Sequence, residues 1–437
     1  MDGASPLEAR SRYSYLAVDP FRVLTSDGGT VSVDGRPVAG TAFAVLQSEL
    51  ARWRLPSGWA PVPFGGGAVG FLGYGLRRDL ERLPDRHPND LAIPDMVMAF
   101  YDLVLAFDRH ERRVWILSSG FPATETAERR SRAQSRLDAV LRRLDAAPPA
   151  PADRPVPALA WTAELARTDY LASVSRMLEY IAQGDIFQAN FTTRFLAPRP
   201  PAVSAASLYM ALRAASPAPF AAYLGCGDRL GIASVSPERF LQLNPDGRIE
   251  TRPIKGTRPR SPDREADMML RQALAVSAKD RAENLMIVDL MRNDIGRVAE
   301  IGSITVPSLW EVESFAAVHH LVSSVTGQLR PGLDAVDLLR ATFPGGSITG
   351  APKIRAMEII DELEIAARGV YCGAIAWIGF DGAMDSSIAI RTLTITPGTV
   401  AAQAGGGIVA DSDPADEYDE MLVKLRPLLN ALGKVVA

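Results

Sequence analysis

A proline-rich stretch about one third of the way along the chain is the feature that most limits how this sequence can fold. Residues 146–157 contain five prolines among alanines. Proline lacks a backbone N–H donor and fixes φ, so this stretch cannot form a helix and is predicted to be an extended linker. The sequence therefore predicts an N-terminal region over 1–147, a linker over 148–160 and a C-terminal region over 161–437.

Composition places the chain among globular proteins and excludes several classes of partner. Of its 437 residues 47% are hydrophobic, and the formal net charge is −4. Such a chain can bury a large core, and no general basic field predicts binding to nucleic acid. The two cysteines, Cys226 and Cys372, have no metal-binding spacing and indicate a reducing cytoplasm. No signal peptide and no apolar run of membrane-spanning length is found, so we expect a cytoplasmic protein that binds no membrane.

The N-terminal region is predicted to mix strands and helices. Residues 13–18 and 96–107 alternate as strands do, and 113–117 follows the second across a charged turn, which predicts an antiparallel hairpin. Residues 122–145 have the apolar spacing of a surface helix. The glycines of 65–74 fit neither common phosphate-binding spacing, so tight strand packing is the better interpretation.

The C-terminal region alternates helices and strands without a visible internal repeat. The predicted elements are helices over 168–184, 266–292 and 414–432, and strands over 186–195, 321–327, 373–380 and 386–396. In the first of these strands Gln188, Asn190 and Thr192 share one face. That face either lines a polar cleft or is the solvent-facing half of an antiparallel strand, which is the more common case.

A charged loop over residues 250–260, with the sequence ETRPIKGTRPR, holds the main candidate nucleophile. Lys255 lies beside a glycine and between arginines that would attract an anionic ligand. An uncharged lysine amine can form a covalent intermediate. The alternative is a surface loop of solvated charges.

Three glutamates and two basic side chains are further candidates. Two carboxylates among Glu238, Glu283 and Glu420 suit Mg²⁺, and a third in an apolar setting suits a general acid, although most glutamates are surface residues. His320 is either a hydrogen-bonded structural residue or a proton-transfer group. Arg391 lies in a predicted apolar strand, where its charge needs an anionic partner.

Glycine-rich segments at 345–346 and 405–407 are predicted loops whose N–H groups either bind an anion or only form turns. Cys226 lies between glycines without the sequence context of a glutaminase nucleophile, so we interpret it as structural.

Several segments in a fixed order resemble the chorismate-utilising enzymes, from Arg12 to Lys424. They are GDIFQ (184–188), SPERF (236–240), PIKGT (253–257), ENLMIVDL with RND (283–290 and 292–294), FPGGSITGAPK (343–353) and AGGGIVADS (404–412). The resemblance implies an α/β (α+β) fold with a large β-sandwich core flanked by helices and an active site in the cleft between the sheets.

The resemblance also implies roles for individual residues. Glu283 and Glu420 match ligands of Mg²⁺, and Glu238 matches the acid that protonates the departing C4 hydroxyl. His320 and Thr257 match residues that line the ring. The positions that match groups holding a substrate carboxylate are Tyr371, Arg391, Gly405, Gly406, Gly407 and Lys424.

Two positions select among the reactions of the family. The branch of the family that adds water has a lysine that activates the water. This chain has Gln188 at that position, so amination is favoured over addition of water. The anthranilate branch has alanine at the position of Lys255, whereas the branch that aminates chorismate at C4 has lysine, which is proposed to attack C2 first. The resemblance therefore implies Mg²⁺-dependent conversion of chorismate and ammonia to 4-amino-4-deoxychorismate, for p-aminobenzoate and folate. The alternatives are anthranilate synthesis and a non-catalytic subunit that binds chorismate.

The resemblance implies a partner as well. No glutaminase domain and no pyridoxal-phosphate lyase domain is found, so ammonia is expected from a glutamine amidotransferase subunit (component II). The tryptophan-binding LLES-like stretch of some relatives is missing, so feedback by tryptophan is not expected.

Overall fold

The computed structural model describes residues 1–2, 11–147, 156–315 and 318–432. Most of the predicted linker, residues 148–155, lies outside the described residues, and 156–160 has no regular secondary structure. In the described residues no helix is long and apolar enough to cross a membrane.

The strands of the described residues are β1 (Tyr13–Ala17), β2 (Arg22–Asp27), β3 (Thr30–Val33), β4 (Arg36–Val38), β5 (Gly67–Leu72), β6 (Met96–Tyr101), β7 (Leu103–Asp108), β8 (Arg113–Ser118), β9 (Thr162–Ala163), β10 (Gln188–Pro198), β11 (Phe220–Cys226), β12 (Leu230–Ser236), β13 (Arg239–Leu243), β14 (Arg248–Thr251), β15 (Ile254–Pro259), β16 (Thr305–Ser314), β17 (Val318–Gln328), β18 (Gly350–Ala351), β19 (Ala374–Gly379), β20 (Met384–Ile388), β21 (Thr392–Ile395) and β22 (Thr399–Ile408).

The α-helices are α1 (Ala42–Arg52), α2 (Thr126–Asp145), α3 (Arg167–Ala182), α4 (Ala205–Ala215), α5 (Arg264–Val276), α6 (Ala278–Gly296), α7 (Ala335–Thr342), α8 (Lys353–Leu363) and α9 (Pro414–Leu432). Short 3₁₀ helices cover Tyr74–Asp79 and Gly346–Ile348.

Two large antiparallel sheets form the body of the fold. One has the order β15-β17-β14-β13-β20-β19-β5-β6-β2-β3-β4, with β16 also on β17, and the other has the order β11-β12-β21-β22-β10-β18. A smaller sheet has the order β1-β7-β8. Strand β5 pairs with β19, so strands from before and after the linker share one sheet. The division into regions before and after the linker therefore describes the order of the sequence, and it remains a prediction.

Three apolar clusters show how the helices pack on the sheets and how the two sheets pack on each other. Helices α1, α6 and α7 cover one face of the larger sheet, and α3, α8 and α9 cover one face of the other. A smaller cluster joins Phe71 and Ile375 of the larger sheet to Ala222 and Ile232 of the other. The predicted sandwich flanked by helices is confirmed, with both sheets facing a shared interior.

Several predictions about single elements are confirmed. Strands β7 and β8 form the expected hairpin. Helix α2 has one buried residue, Val140, as expected for a surface helix. In β5 a Cβ on Gly70 would lie 1.8 Å from the Val97 carbonyl oxygen, so glycine permits close strand packing.

Four predictions about single elements were wrong: three missed a break at a polar residue within a predicted continuous element, and one took part of a strand for a loop. The strand over 96–107 breaks at buried Asp102, which pairs with Arg136 at 3.1 Å, and its halves lie in different sheets. The helix over 266–292 breaks at Ser277, whose hydroxyl accepts from the Asp280 N–H and so caps α6. The strand over 386–396 breaks before Arg391, which has φ 50°. Residues 405–407 form part of β22 and are not a loop.

The first helix of the C-terminal region also differs in detail. It covers Arg167–Ala182 and not 168–184, and its buried face is Tyr170, Val174, Met177 and Tyr180, with Leu178 and Ile181 partly buried. The final helix, α9, has the predicted bounds.

Candidate active site

Lys255 lies on β15, where the ladder with β17 is irregular between Lys255 and Thr257. Gly256 has φ +68°, and a Cβ there would lie 2.7 Å from the Leu274 side chain, so the turn requires glycine. The Lys255 side chain is 11% exposed, and its Nζ lies 3.7 Å from Oε2 of Glu283. The lysine is therefore held inside a pocket and is not a solvated loop charge.

The arginines around Lys255 have other partners. Arg258 pairs with Asp280 at 2.9 Å, and Arg260 pairs with Asp267 at 2.8 Å. Arg252 pairs with Glu250 and Glu313. They hold the segment in place, so the expectation that they attract the ligand is not supported by their positions.

Gln188 and Lys255 meet above Gly407. A Cβ on Gly407 would lie 2.7 Å from Gln188 Nε2 and 2.9 Å from Lys255 Nζ, so the missing side chain provides the space they share. Gln188, Asn190 and Thr192 are all buried, which excludes the solvent-facing interpretation of this strand face. Both amide atoms of Gln188 lack hydrogen-bond partners among the described residues. A buried amide of this kind is suited to contact a ligand.

Glu283 on α6 and Glu420 on α9 face the same pocket. Burial raises the pKa of Glu283, and the nearby negative charge of Glu420 adds to that rise. Lys424, whose Nζ lies 2.8 Å from Oε1 of Glu420, lowers the pKa of Glu420. In the described residues no three His, Cys, Asp or Glu side chains cluster as a closed metal site. Two carboxylates from two helices fit Mg²⁺, which keeps several water or substrate oxygens as ligands.

Glu238 lies between β12 and β13 and is 5% exposed. Burial raises the pKa of its carboxyl to about 7, although a hydrogen bond from Ser347 and the charge of Lys255 act against this rise. A carboxylic acid that keeps its proton near neutral pH is suited to general acid catalysis.

His320, Thr257 and Arg391 form another side of the pocket. His320 Nδ1 lies 3.0 Å from the Thr257 hydroxyl. Burial and the charge of Arg391 lower the pKa of His320 to about 3, so the imidazole is neutral. No described carboxylate lies within 4.0 Å of Arg391, and burial lowers the pKa of its guanidinium. A partly buried cation without such a counter-ion favours binding of an anion.

The remaining predicted substrate-binding residues lie around β22. Tyr371 is 7% exposed, and burial raises the pKa of its phenol. Lys424 donates from Nζ to the Gly405 carbonyl at 3.2 Å. A Cβ on Gly406 would lie 2.9 Å from Glu417 Oε2, and one on Gly405 would lie 2.1 Å from the Phe191 carbonyl oxygen. These glycines thus permit close packing of β22 on β10 and α9.

Comparison with known proteins identifies the family. Residues 6–430 match the family described as chorismate binding enzyme. The chain belongs to this family. It is similar to aminodeoxychorismate synthase component 1 of Klebsiella aerogenes, with 44% identity over 97% of this chain and 91% of that protein. It is also similar to anthranilate synthase component 1 of Streptomyces coelicolor, with 41% identity over 98% of this chain and 82% of that protein.

A solved structure of another family member agrees with this assignment. Anthranilate synthase component I of Streptococcus pneumoniae TIGR4 superimposes with a TM-score of 0.86 at 32% identity, covering 97% of this chain and 93% of that chain. The resemblance drawn from the sequence motifs is confirmed.

Within this chorismate-binding fold, the structure adds residues that the sequence analysis did not assign. Glu417 is 3% exposed, accepts a hydrogen bond from the Ser412 hydroxyl at 2.6 Å and lies 3.5 Å from Lys279 Nζ. The sequence did contain a signal for these residues. Glu417 lies three residues before Glu420, and Lys279 lies four residues before Glu283, so each shares a helix face with a predicted site residue. Ser347 lies in the motif FPGGSITGAPK, but nothing in the sequence pairs it with Glu238, because the two residues are far apart along the chain.

Proposed function

We propose that this chain aminates chorismate at C4 with ammonia to give 4-amino-4-deoxychorismate, as the chorismate-binding component of an aminodeoxychorismate synthase. The observation that carries this proposal is the position of Lys255 Nζ, which meets Gln188 above Gly407 inside the pocket. Relatives of that name at 43–45% identity support it.

Binding is assigned to the groups around the pocket. Arg391, Tyr371 and Lys424 would hold the substrate carboxylates, and neutral His320 with Thr257 would lie along the ring. Glu283 and Glu420 would hold Mg²⁺, which when bound supplies positive charge beside the ring carboxylate and favours loss of the C4 hydroxyl. These contacts fix the ring so that C2 faces Lys255.

The chemistry follows as two allylic displacements. Glu238 gives its proton to the C4 hydroxyl, which leaves as water, while the uncharged amine of Lys255 forms a bond to C2 and both ring double bonds shift toward C4. Ammonia then forms a bond to C4, both double bonds shift back, and the bond between Lys255 and C2 breaks, which returns Lys255 as an amine. The new C4 ammonium releases one proton to solvent, and the Glu238 carboxylate takes one up. Nitrogen ends at C4, whereas direct attack of ammonia at C2 would lead toward anthranilate.

The ammonia is proposed to come from a glutamine amidotransferase subunit, in a cytoplasmic route to p-aminobenzoate and folate. Burial raises the pKa of Cys226 to about 11, which makes this thiol a poor glutaminase nucleophile. Both cysteines are free, as is usual in a reducing compartment.

The direct test is the product that the purified chain forms from chorismate, Mg²⁺ and an ammonium salt. We expect 4-amino-4-deoxychorismate on a chromatogram, no reaction with glutamine alone, and glutamine use once a cognate amidotransferase is added. Anthranilate as the main product would support the second candidate, which the anthranilate synthase relatives favour. Turnover of glutamine by the single chain would contradict the assignment of Cys226.

The pH dependence of this reaction tests Glu238. Because the pKa of Glu238 is raised to about 7, the acid is present below that pH and is lost above it. When rates are divided by the NH₃ concentration, the ratio of kcat/KM for wild type to kcat/KM for Glu238→Gln is expected to fall about tenfold per pH unit above about 7, because any titration of the Lys255 amine is common to both proteins. Below that pH Glu238→Gln should have lost on the order of 10²–10⁴ of the rate. Exposed Glu311→Gln is the control and should keep the wild-type profile; the same profile in Glu238→Gln would remove this residue from the acid role.

A further inference from the structure

The buried side-chain amide of Asn284 connects helix α6, which carries Glu283, to the segment that carries Lys255. Asn284 follows Glu283 on α6 and is 0% exposed. Its Nδ2 donates to the carbonyl of Pro253, two residues before Lys255, across a long 3.5 Å contact. The same carbonyl accepts from the Ser323 N–H at 3.2 Å. Helix α6 and strand β17 therefore both donate to one oxygen atom, in the residue directly before β15.

A directional chain of donors fixes which way this amide points. The Trp310 N–H donates to the Ser323 hydroxyl oxygen at 3.0 Å. The Ser323 hydroxyl has one proton, and it donates that proton to Oδ1 of Asn284. The Nδ2 group is therefore directed at Pro253, and a reversed amide would place Oδ1 against the Pro253 carbonyl oxygen, which is also an acceptor.

This contact lies on one side of Lys255, and the strand pairing is irregular on the other side. Ile254 and Lys255 pair with β17, and the β15–β17 ladder then shifts register between Lys255 and Thr257, so backbone pairing supports the lysine from one side only. On that side the chain is held at Pro253, by β17 and by α6.

We propose that Asn284, oriented by Ser323, is a positioning residue that sets Lys255 relative to Glu283. The inference rests on the proposed function, because it assigns the amide to the placement of the lysine nucleophile. Neither side chain touches substrate in this scheme; both act through Lys255. Displacement of a reacting atom by about 1 Å is enough to lower a rate on the order of 10²-fold.

The test compares Ser323→Ala and Asn284→Leu with Thr326→Val. Thr326 is the matched control because its hydroxyl also links β17 to β16, 2.9 Å from the Thr305 hydroxyl. We expect both test variants to lose about tenfold or more in kcat for the C4 product, with KM for chorismate within about threefold. The rate at which an adduct forms on Lys255 without ammonia should fall by the same factor. Thr326→Val should match wild type in both.

Each outcome is decisive. If Ser323→Ala, the milder variant, keeps its adduct rate within twofold of wild type while its Tm falls, the network is only structural and the inference is wrong. Equal losses in Thr326→Val would also overturn it. If wild type forms no C4 product in the same assay, the proposed function fails, and this inference fails with it.

Discussion

Lys255→Arg is expected to lose formation of 4-amino-4-deoxychorismate by on the order of 10³-fold or more, while chorismate binding stays within a few-fold. Arginine keeps the positive charge but is not a nucleophile at neutral pH. Binding persists because Arg391, Tyr371 and the carboxylate pair of Glu283 and Glu420 are unchanged. The measurements are the C4 product by chromatography and the chorismate affinity of the same preparation.

Lys255→Ala and a trapping experiment complete this prediction. The vacated space lies against Gly407, so ammonia or water can reach C2, and residual product should carry its new group there. Wild type without ammonia should accumulate an adduct on the peptide that contains Lys255, detected by mass. Arg248→Ala removes an exposed charge on β14, in the same sheet as Lys255, and is the control that should behave as wild type. Robust C4 product from Lys255→Arg would refute the covalent role.

Glu283→Gln and Glu420→Gln are each expected to abolish activity at low Mg²⁺ while the fold remains. Mutation of residues that only hydrogen-bond a metal ligand typically lowers metal affinity about 10–100-fold. Loss of a ligand itself should therefore weaken Mg²⁺ binding by at least that factor. Burial already raises the pKa of Glu283, so a neutral amide there removes an unfavourable buried charge, and Tm should not fall. Calorimetric Mg²⁺ binding and thermal unfolding measure the two effects separately.

The matched control for these variants is on the same helix as Glu283. Asp289 lies on the exposed side of α6, where it pairs with Arg292, so Asp289→Asn should leave Mg²⁺ binding and turnover unchanged. Wild-type turnover by either glutamine variant at low Mg²⁺ would contradict the assignment of the carboxylate pair.

The local sequence determined most of the regular elements and the identities of the candidate residues. Alternation predicted the β7–β8 hairpin and helical spacing predicted α2 and α9, because these elements depend mainly on contacts within a few residues. The glycines of β5 predicted close strand packing because a residue without a side chain permits it whichever strand lies alongside. The motif resemblance led to the correct family because its residues lie in fixed order along the chain.

Tertiary structure alone decided how those residues meet. The breaks at Asp102 and Arg391 depend on an ion pair with α2 and on a backbone kink, neither of which periodicity records. The protonation of Glu238 depends on burial and on Ser347, more than 100 residues away in sequence. The position of Lys255 beside Gln188 depends on the empty side of Gly407 in another sheet. The pKa of a side chain and its distance to other groups depend on which residues pack around it. The sequence therefore identified the candidate reacting groups, and only the fold determined their protonation and their positions.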